Sequence, residues 1–455
     1  VNTTDRAKER TLAILQKLLA NYSSQAFAVR LWDGTVWPAE AGQPPHFTLV
    51  LTHPGALRRM FLPPTDLTLG EAYIYGDFDV EGDLIDAFRL ADYFEHLELG
   101  TADKLWFGRQ LLSLPSTRAP QKGRQAARLT GAVHSRARDR RAISYHYDVS
   151  NEFYALWLDR HMVYSCAYFA RAGDDLDTAQ TQKLDYICSK LRLQPGERLL
   201  DIGCGWGGLV LYAAQHYGVE AVGITLSQPQ VDLARASIQE ANLDAEHRCR
   251  VELMDYREVP PEHPFDKLVS VGMFEHVGEA VLPVYFEQAW RLLRPGGLFL
   301  NHGIACPGTE PRPQKRRSSF SNRHVFPDGE LTPISTTLAA AEAAGFEVRD
   351  IESLREHYAL TLRHWVQRLE AHHDQALRHV DEVAYRVWRL FMSGSADGFE
   401  VGRHNVYQSL LVRPEANGQS GLPLTRATLY APVHRSWEDR MGTQMGNEPM
   451  KEAIV

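Results

Sequence analysis

No run of the roughly 18 apolar residues needed to cross a bilayer occurs in this chain, which argues against a membrane-spanning helix. A basic n-region followed by an apolar h-region is also missing, so secretion is not expected. Cysteine is scarce and scattered, at Cys166, Cys188, Cys204, Cys249 and Cys306, with no CxxC pair. A zinc centre and a disulfide framework are therefore poorly supported, no metal is expected, and a cytoplasmic, reducing compartment fits best. Basic residues are outnumbered, 49 Lys and Arg against 57 Asp and Glu, giving a net charge of −8. That balance opposes a role in coating nucleic acid, and no nucleic-acid partner is expected. G-x-x-x-x-G-K-[ST] is absent, so no P-loop phosphate cradle is evident. What remains is ordinary globular composition, 44% hydrophobic and 23% charged, which excludes wholesale disorder and fibrous structure. A chain of 455 residues exceeds one comfortable core, and about 150 residues per domain allows about three units at most.

Residues 5–20 carry Leu12, Leu15, Leu18 and Leu19 on one stripe and read as an amphipathic helix, docked on its own domain or, alternatively, on a membrane. Short alternating runs follow, such as 28–32 and 47–51, with Asp33-Gly34 as a hairpin turn. They predict a small α+β domain over residues 1–115. Residues 116–142 form a basic linker, with Arg118, Lys122, Arg124, Arg128, Arg136, Arg138, Arg140 and Arg141 against the single acid Asp139. Such a segment reads as an exposed, mobile connection, with anionic lipid headgroups as a rival reading and nucleic acid a weaker one. From Ile143 onward, strand runs at 198–203, 221–225, 251–254, 265–271 and 297–301 alternate with helical stretches such as 230–241 and 283–293. This is a βαβ series over about 143–415, hence an α/β, largely parallel, doubly wound sheet. Residues 360–392 read as helical, and 416–455 form a polar C-terminal tail.

The run Asp201-Ile202-Gly203-Cys204-Gly205-Trp206-Gly207-Gly208 follows the first strand of that series and opens a helix. Glycines there let a ligand approach the carboxyl edge of the sheet, and G-x-G-x-G spacing favours one without a pyrophosphate. Asp201 suits a ligand with a cationic amino group. This block resembles the S-adenosylmethionine loop of class I methyltransferases. The segments Tyr145–Tyr154, Tyr164–Phe169, Gly223–Gln230, Gly272–Gly278 and His357–Leu362 resemble the cyclopropane fatty acid synthases, in the same order over residues 70–370. Gly70–Tyr73 through Glu81–Leu84 resembles that family's N-terminal domain.

The resemblance implies a Rossmann-like class I methyltransferase domain behind a smaller, lipid-engaging N-terminal domain. S-adenosylmethionine contacts fall on Tyr164, Ser165, Asp201, Gly203, Gly205, Thr225, Leu226 and Gln230, with Gln230 taking the ribose and Asp255 and Tyr256 flanking the adenine. A bicarbonate ion is implied beside the reacting carbon, its catalytic ligands matching Cys166, Glu275, His302, Ile304 and Tyr358. Such an ion suits the chemistry, because an isolated cis double bond is a poor nucleophile and methyl transfer leaves a cation that a weak base must then deprotonate. His302 and Tyr358 can donate to it, Glu275 can accept, and backbone N–H groups near Cys166 and Ile304 can complete the cradle. Tyr147, Phe153, Tyr168 and Phe274 are candidates for an acyl tunnel or for core.

The residues alone leave other readings open. Cys166 can be a thiol nucleophile, Glu275 and His276 metal ligands, and His302 and Tyr358 structural. The stretch Asn322–Val325 departs from the family's aromatic-basic-aromatic pattern, and Arg312–Arg317 is either a solvated loop or a headgroup-facing patch. The favoured expectation is methylene addition across a cis double bond of a phospholipid acyl chain. A methylene-branched product, precursor of a methyl-branched chain, arises from the same cation. A non-catalytic lipid-binding protein and a small-molecule methyltransferase are the remaining rivals. Unsaturated membrane phospholipid is the expected partner, with peripheral contact at the anionic inner face of the cell membrane, and a homodimer is compatible with the sequence.

Overall fold

Alternating runs and continuous apolar runs sort the strands into two sheets, each in its own unit. The computed structural model describes residues 3–22, 27–37, 44–117, 119–243, 248–308 and 319–427. The basic run 312–317, Arg118 and the tail beyond residue 427 lie outside the described residues. One unit comprises Val1–Ala126, Pro313–Val325 and Val380–Asp397; the other comprises Ala127–Arg312, Phe326–His379 and Gly398–Val455.

In the first unit, β1 (Phe27–Arg30), β2 (Val36–Trp37), β3 (Phe47–Leu51) and β4 (Phe78–Gly82) form a sheet in the order β2-β1-β3-β4. The Asp33-Gly34 turn joins β1 and β2 as an antiparallel pair, with Gly34 at φ +83°. Phe47, Leu49 and Leu51 alternate inward on β3, the period-2 pattern of a strand with one face on a core. Helix Thr3–Leu18 buries Ile14, Leu15 and Leu18, so its leucine stripe is spent within the protein. Helix Glu382–Glu400 lies largely in this unit, although sequence periodicity assigned residues 360–392 to a helical part of the second domain. The reason is chemical: Arg389 donates to Tyr73 Oη at 2.8 Å and to the carbonyls of Val80 and Gly82, while Arg386 reaches Asp79 at 2.7 Å.

In the second unit, β5 (Arg198–Ile202), β6 (Glu220–Thr225), β7 (Cys249–Leu253), β8 (Phe265–Val271), β9 (Leu293–Ala305), β10 (Glu347–Ser353) and β11 (Asn405–Val412) form one sheet ordered β10-β11-β9-β8-β5-β6-β7. Strands β5 to β9 are parallel, whereas β11 runs antiparallel between β9 and β10. Both faces are covered by apolar clusters, which is why the central strands read as unbroken apolar runs. The end of the basic segment is not a free connection. Helix Arg136–Tyr147 begins inside it, because Arg138 finds a two-pronged partner in Asp328 at 2.5 and 2.9 Å and Asp139 takes Arg257 at 2.9 Å.

Arg389 is 9% exposed, so Arg389→Met strands its three acceptors without a donor. The expected loss is about 2–3 kcal/mol of stability, read as a lower urea midpoint.

Candidate functional site

The site grows from the carboxyl edge of the second sheet. After Ile202 the chain turns through Gly203, Gly205 and Gly207, at φ +85°, +56° and +85°, before helix Gly208–Tyr217 begins. These are left-handed conformations that favour glycine. A Cβ on Gly203 would lie 2.6 Å from that of Met273, whereas one on Gly205 would meet nothing within 4 Å. The loop is thus packed on one side and open on the other. Gly203 N and Cys204 N both donate to Ile224 O, tying the loop to the end of β6.

Every residue expected to hold the cofactor lines one cavity at this edge: Tyr164, Ser165, Asp201, Gly203, Gly205, Thr225, Leu226, Gln230, Asp255 and Tyr256. Thr225 Oγ1 donates to Gln230 Oε1 at 2.6 Å, which leaves the amide Nε2 as the donor of that wall. Burial works against the Asp255 carboxylate, but hydrogen bonds from Arg257, at 2.6 and 2.8 Å, outweigh it and hold Asp255 below its ordinary range. Asp201 Oδ1, at the other end, is buried without a hydrogen-bond partner, and burial pushes this acid up to about 7.

Cys166, Glu275, His302, Ile304 and Tyr358 do not line that cavity. They gather close by, around the ends of β8 and β9. Glu275 Oε1 accepts from Ile304 N at 2.7 Å, so the N–H that the resemblance offered to an ion is held by Glu275. Tyr358 lies near enough to Cys166, Glu275 and Tyr147 to feel each, and burial with these neighbours lifts its phenol well above the usual range. Cys166 is buried, and burial raises its thiol far from thiolate chemistry, which speaks against a nucleophile. Among the described residues, no three His, Cys, Asp or Glu side chains converge to hold a metal. The aromatic candidates divide: Tyr147 lines the cavity, Phe153 and Phe274 are core, and Tyr168 stacks on His357.

Two buried polar atoms in this group, Glu275 Oε2 and His302 Nε2, have no hydrogen-bond partner among the described residues. A network unseen in the sequence fixes the histidine's proton. Lys190 Nζ donates to Gln408 Oε1 at 2.8 Å, which orients that amide, so Gln408 Nε2 donates to His302 Nδ1 at 3.2 Å. His302 therefore carries its proton on Nε2, an assignment made from this network. Burial, with Lys183 and Lys190 nearby, pushes the imidazole down to about 3 and keeps it neutral. Lys183 is a second omission: it lines the cavity, is 1% exposed and donates to Ser165 Oγ at 3.0 Å. The signal was there, because Ala179, Lys183, Leu184 and Ile187 share a buried helical stripe in Leu176–Lys190. Around the group stands an aromatic wall in which Tyr164 meets Trp365 at 5.1 Å and Tyr358 meets Phe399 at 4.6 Å between ring centres.

Burial lifts Glu275 from 4.5 to about 7, against the pull of the Ile304 N–H. The native chain thus holds this proton more tightly than the unfolded chain. Its contribution to stability is complete below pH 4.5 and is lost as pH rises through about 7. Glu275→Gln keeps an acceptor for Ile304 N and removes the titration. At pH 8 the variant is expected to gain about 3 kcal/mol on wild type relative to pH 4, read from urea midpoints at both pH values.

Comparison with known proteins bears on this geometry. Residues 134–409 match the family model described as mycolic acid cyclopropane synthetase, and residues 14–94 match a domain of unknown function. A probable fatty acid methyltransferase of Pseudomonas putida is 41% identical over 403 residues, 88% of this chain and 95% of that protein. The cyclopropane-fatty-acyl-phospholipid synthase of Escherichia coli K12 is 34% identical over 318 residues, 69% of this chain and 80% of that one. The solved structure of mycolic acid cyclopropane synthase CmaA1 complexed with SAH and CTAB aligns with a TM-score of 0.56 at 35% identity, covering 60% of this chain and 97% of that one. The seven-stranded sheet is accordingly a class I S-adenosylmethionine methyltransferase fold. The chain belongs to the mycolic acid cyclopropane synthetase family, as an enzyme of the group that modifies fatty acids by cyclopropanation or methyl transfer.

Proposed function

We propose that this enzyme transfers a one-carbon unit from S-adenosylmethionine to the cis double bond of an unsaturated phospholipid acyl chain and closes it to a cyclopropane. The observation that carries the reading is the pairing of the glycine-loop cavity with a neighbouring aromatic compartment that buries an unpartnered acceptor, Glu275 Oε2, and an unpartnered donor, His302 Nε2. An acceptor and a neutral donor together suit bicarbonate, which supplies a weak base when bound; S-adenosylmethionine supplies the electrophilic methyl group.

The protein's own groups divide the work. Gly203 and Gly205 let the donor approach the sheet edge, and Ser165, Asp201, Thr225 and Gln230 orient it. Glu275, with one oxygen fixed by Ile304 N–H, would hold such an ion as an acceptor, and His302 Nε2–H would hold it as a donor. The phenol of Tyr358 stays protonated and adds a second donor. The faces of Tyr147, Tyr164 and Trp365 stabilise positive charge as it develops on the acyl chain, and their bulk excludes water that would capture it. Membrane contact through the first unit and the basic segment supplies the substrate, with the cytoplasmic face of the membrane as the working surface; Arg138 is spent on Asp328 and does not contribute.

A second reading rests on one observation. The Pseudomonas putida relative, similar over nearly its whole length, bears the name probable fatty acid methyltransferase, which suits an exit from the same cation to a methylene-branched chain.

The test uses purified protein, methyl-labelled S-adenosylmethionine and vesicles of a cis-monounsaturated phospholipid. Label in the acyl chains with upfield ring-methylene protons in the NMR spectrum is the expected result; olefinic methylene protons select the branched product, and no label despite bound cofactor defeats the proposal. Glu275→Gln and Tyr358→Phe are expected to bind the cofactor normally and lose ~100-fold or more in turnover.

A further inference from the structure

The charged groups around the cofactor cavity are unevenly matched. At one end the Arg257 guanidinium is bonded directly to two carboxylates, Asp139 and Asp255, at 2.6 to 2.9 Å. At the other end stand Lys183 and Asp201, 1% and 2% exposed, both on the cavity wall. Among the described residues, neither is paired with an opposite charge by a hydrogen bond. Lys183 Nζ has one hydrogen bond, to Ser165 Oγ, which leaves it two further N–H donors, and Asp201 Oδ1 has none. The two influence each other through space only. A buried cation and a buried anion held apart on one wall are each costly, unless a ligand brings the opposite charges to both.

We propose that Lys183, with Ser165, recognises the carboxylate of an α-amino acid group whose ammonium faces Asp201, so that this end of the cavity is a receptor for a zwitterion. The inference rests on the reading of the cavity as an S-adenosylmethionine site and adds to it the residue that holds the amino-acid end. The Ser165 hydroxyl accepts from Lys183 and so turns its own proton outward, as a second donor to the carboxylate. The backbone beneath is fixed, because Gln180 Nε2 donates to Ser165 O at 2.8 Å and Ala167 N donates to Thr361 Oγ1 at 3.0 Å. Lys183 is thus a binding residue, one step removed from the chemistry.

The experiment compares S-adenosylhomocysteine with its decarboxylated analogue by calorimetry, in wild type, Lys183→Met and Ser165→Ala. Wild type is expected to favour S-adenosylhomocysteine by ~10–100-fold, the worth of a hydrogen-bonded charge pair out of water. Lys183→Met is expected to bind both ligands within ~3-fold of each other while keeping wild-type affinity for the analogue. Full discrimination in Lys183→Met overturns the inference. Should that variant fail to fold, as judged by circular dichroism, Ser165→Ala decides: reduced discrimination supports the proposal and undiminished discrimination overturns it. Wild type that binds both ligands equally also overturns it, and leaves the cofactor reading standing. Wild type that binds neither S-adenosylhomocysteine nor S-adenosylmethionine defeats the cofactor reading itself.

Discussion

The arrangement depends on how polar groups are buried at the carboxyl edge of the larger sheet. Glu275, His302, Asp201 and Lys183 are all withdrawn from water, and each keeps at least one donor or acceptor that the protein does not satisfy. A buried polar atom without a partner costs about 1–3 kcal/mol, more if charged, so four on one edge form a considerable strain on the fold. The rest of the unit is organised to bear it. Ile304 N–H holds one Glu275 oxygen, the Lys190–Gln408 pair fixes the His302 proton, and continuous apolar clusters cover both sheet faces. Stability is given up where a ligand can return it.

The same dryness explains why the aromatic wall and the polar group adjoin. Tyr147, Tyr164, Tyr358 and Trp365 meet edge-on or tilted, and their electron-rich faces offer attraction to positive charge without a competing nucleophile. Burial keeps the phenols of Tyr147, Tyr164 and Tyr358 protonated and the His302 imidazole neutral. The group is thus rich in dipoles and poor in net charge, a condition that suits a cationic reaction path better than a row of carboxylates would.

Much of this could be read in the chain, and the exceptions have physical causes. The five parallel strands and the glycine turn were legible because buried strands are apolar throughout and left-handed turns select glycine. Strand β10, with its charged and half-exposed Glu347–Ser353, carries neither signal, and β11 follows a long helical stretch that masks it. Helix Glu382–Glu400 was assigned to the wrong unit because periodicity shows that a helix has a buried face, not what covers it; Arg386 and Arg389 decide that by long-range bonds. Motif resemblance found the cavity residues, yet Lys183, Lys190 and Gln408 lie outside every motif. Two are lysines on a helix whose neighbours are apolar, a position where charge is expensive and therefore informative.

The proposed chemistry turns on an anion held by Glu275 and His302. The most direct measurement is the rate of methyl transfer to lipid in buffer stripped of carbon dioxide, before and after addition of bicarbonate. A fall of ~10-fold or more, restored by bicarbonate in wild type and not in Glu275→Gln, is the expected result. An undiminished rate in the stripped buffer, at saturating cofactor and lipid, would contradict it and return the task of proton removal to the protein's own side chains.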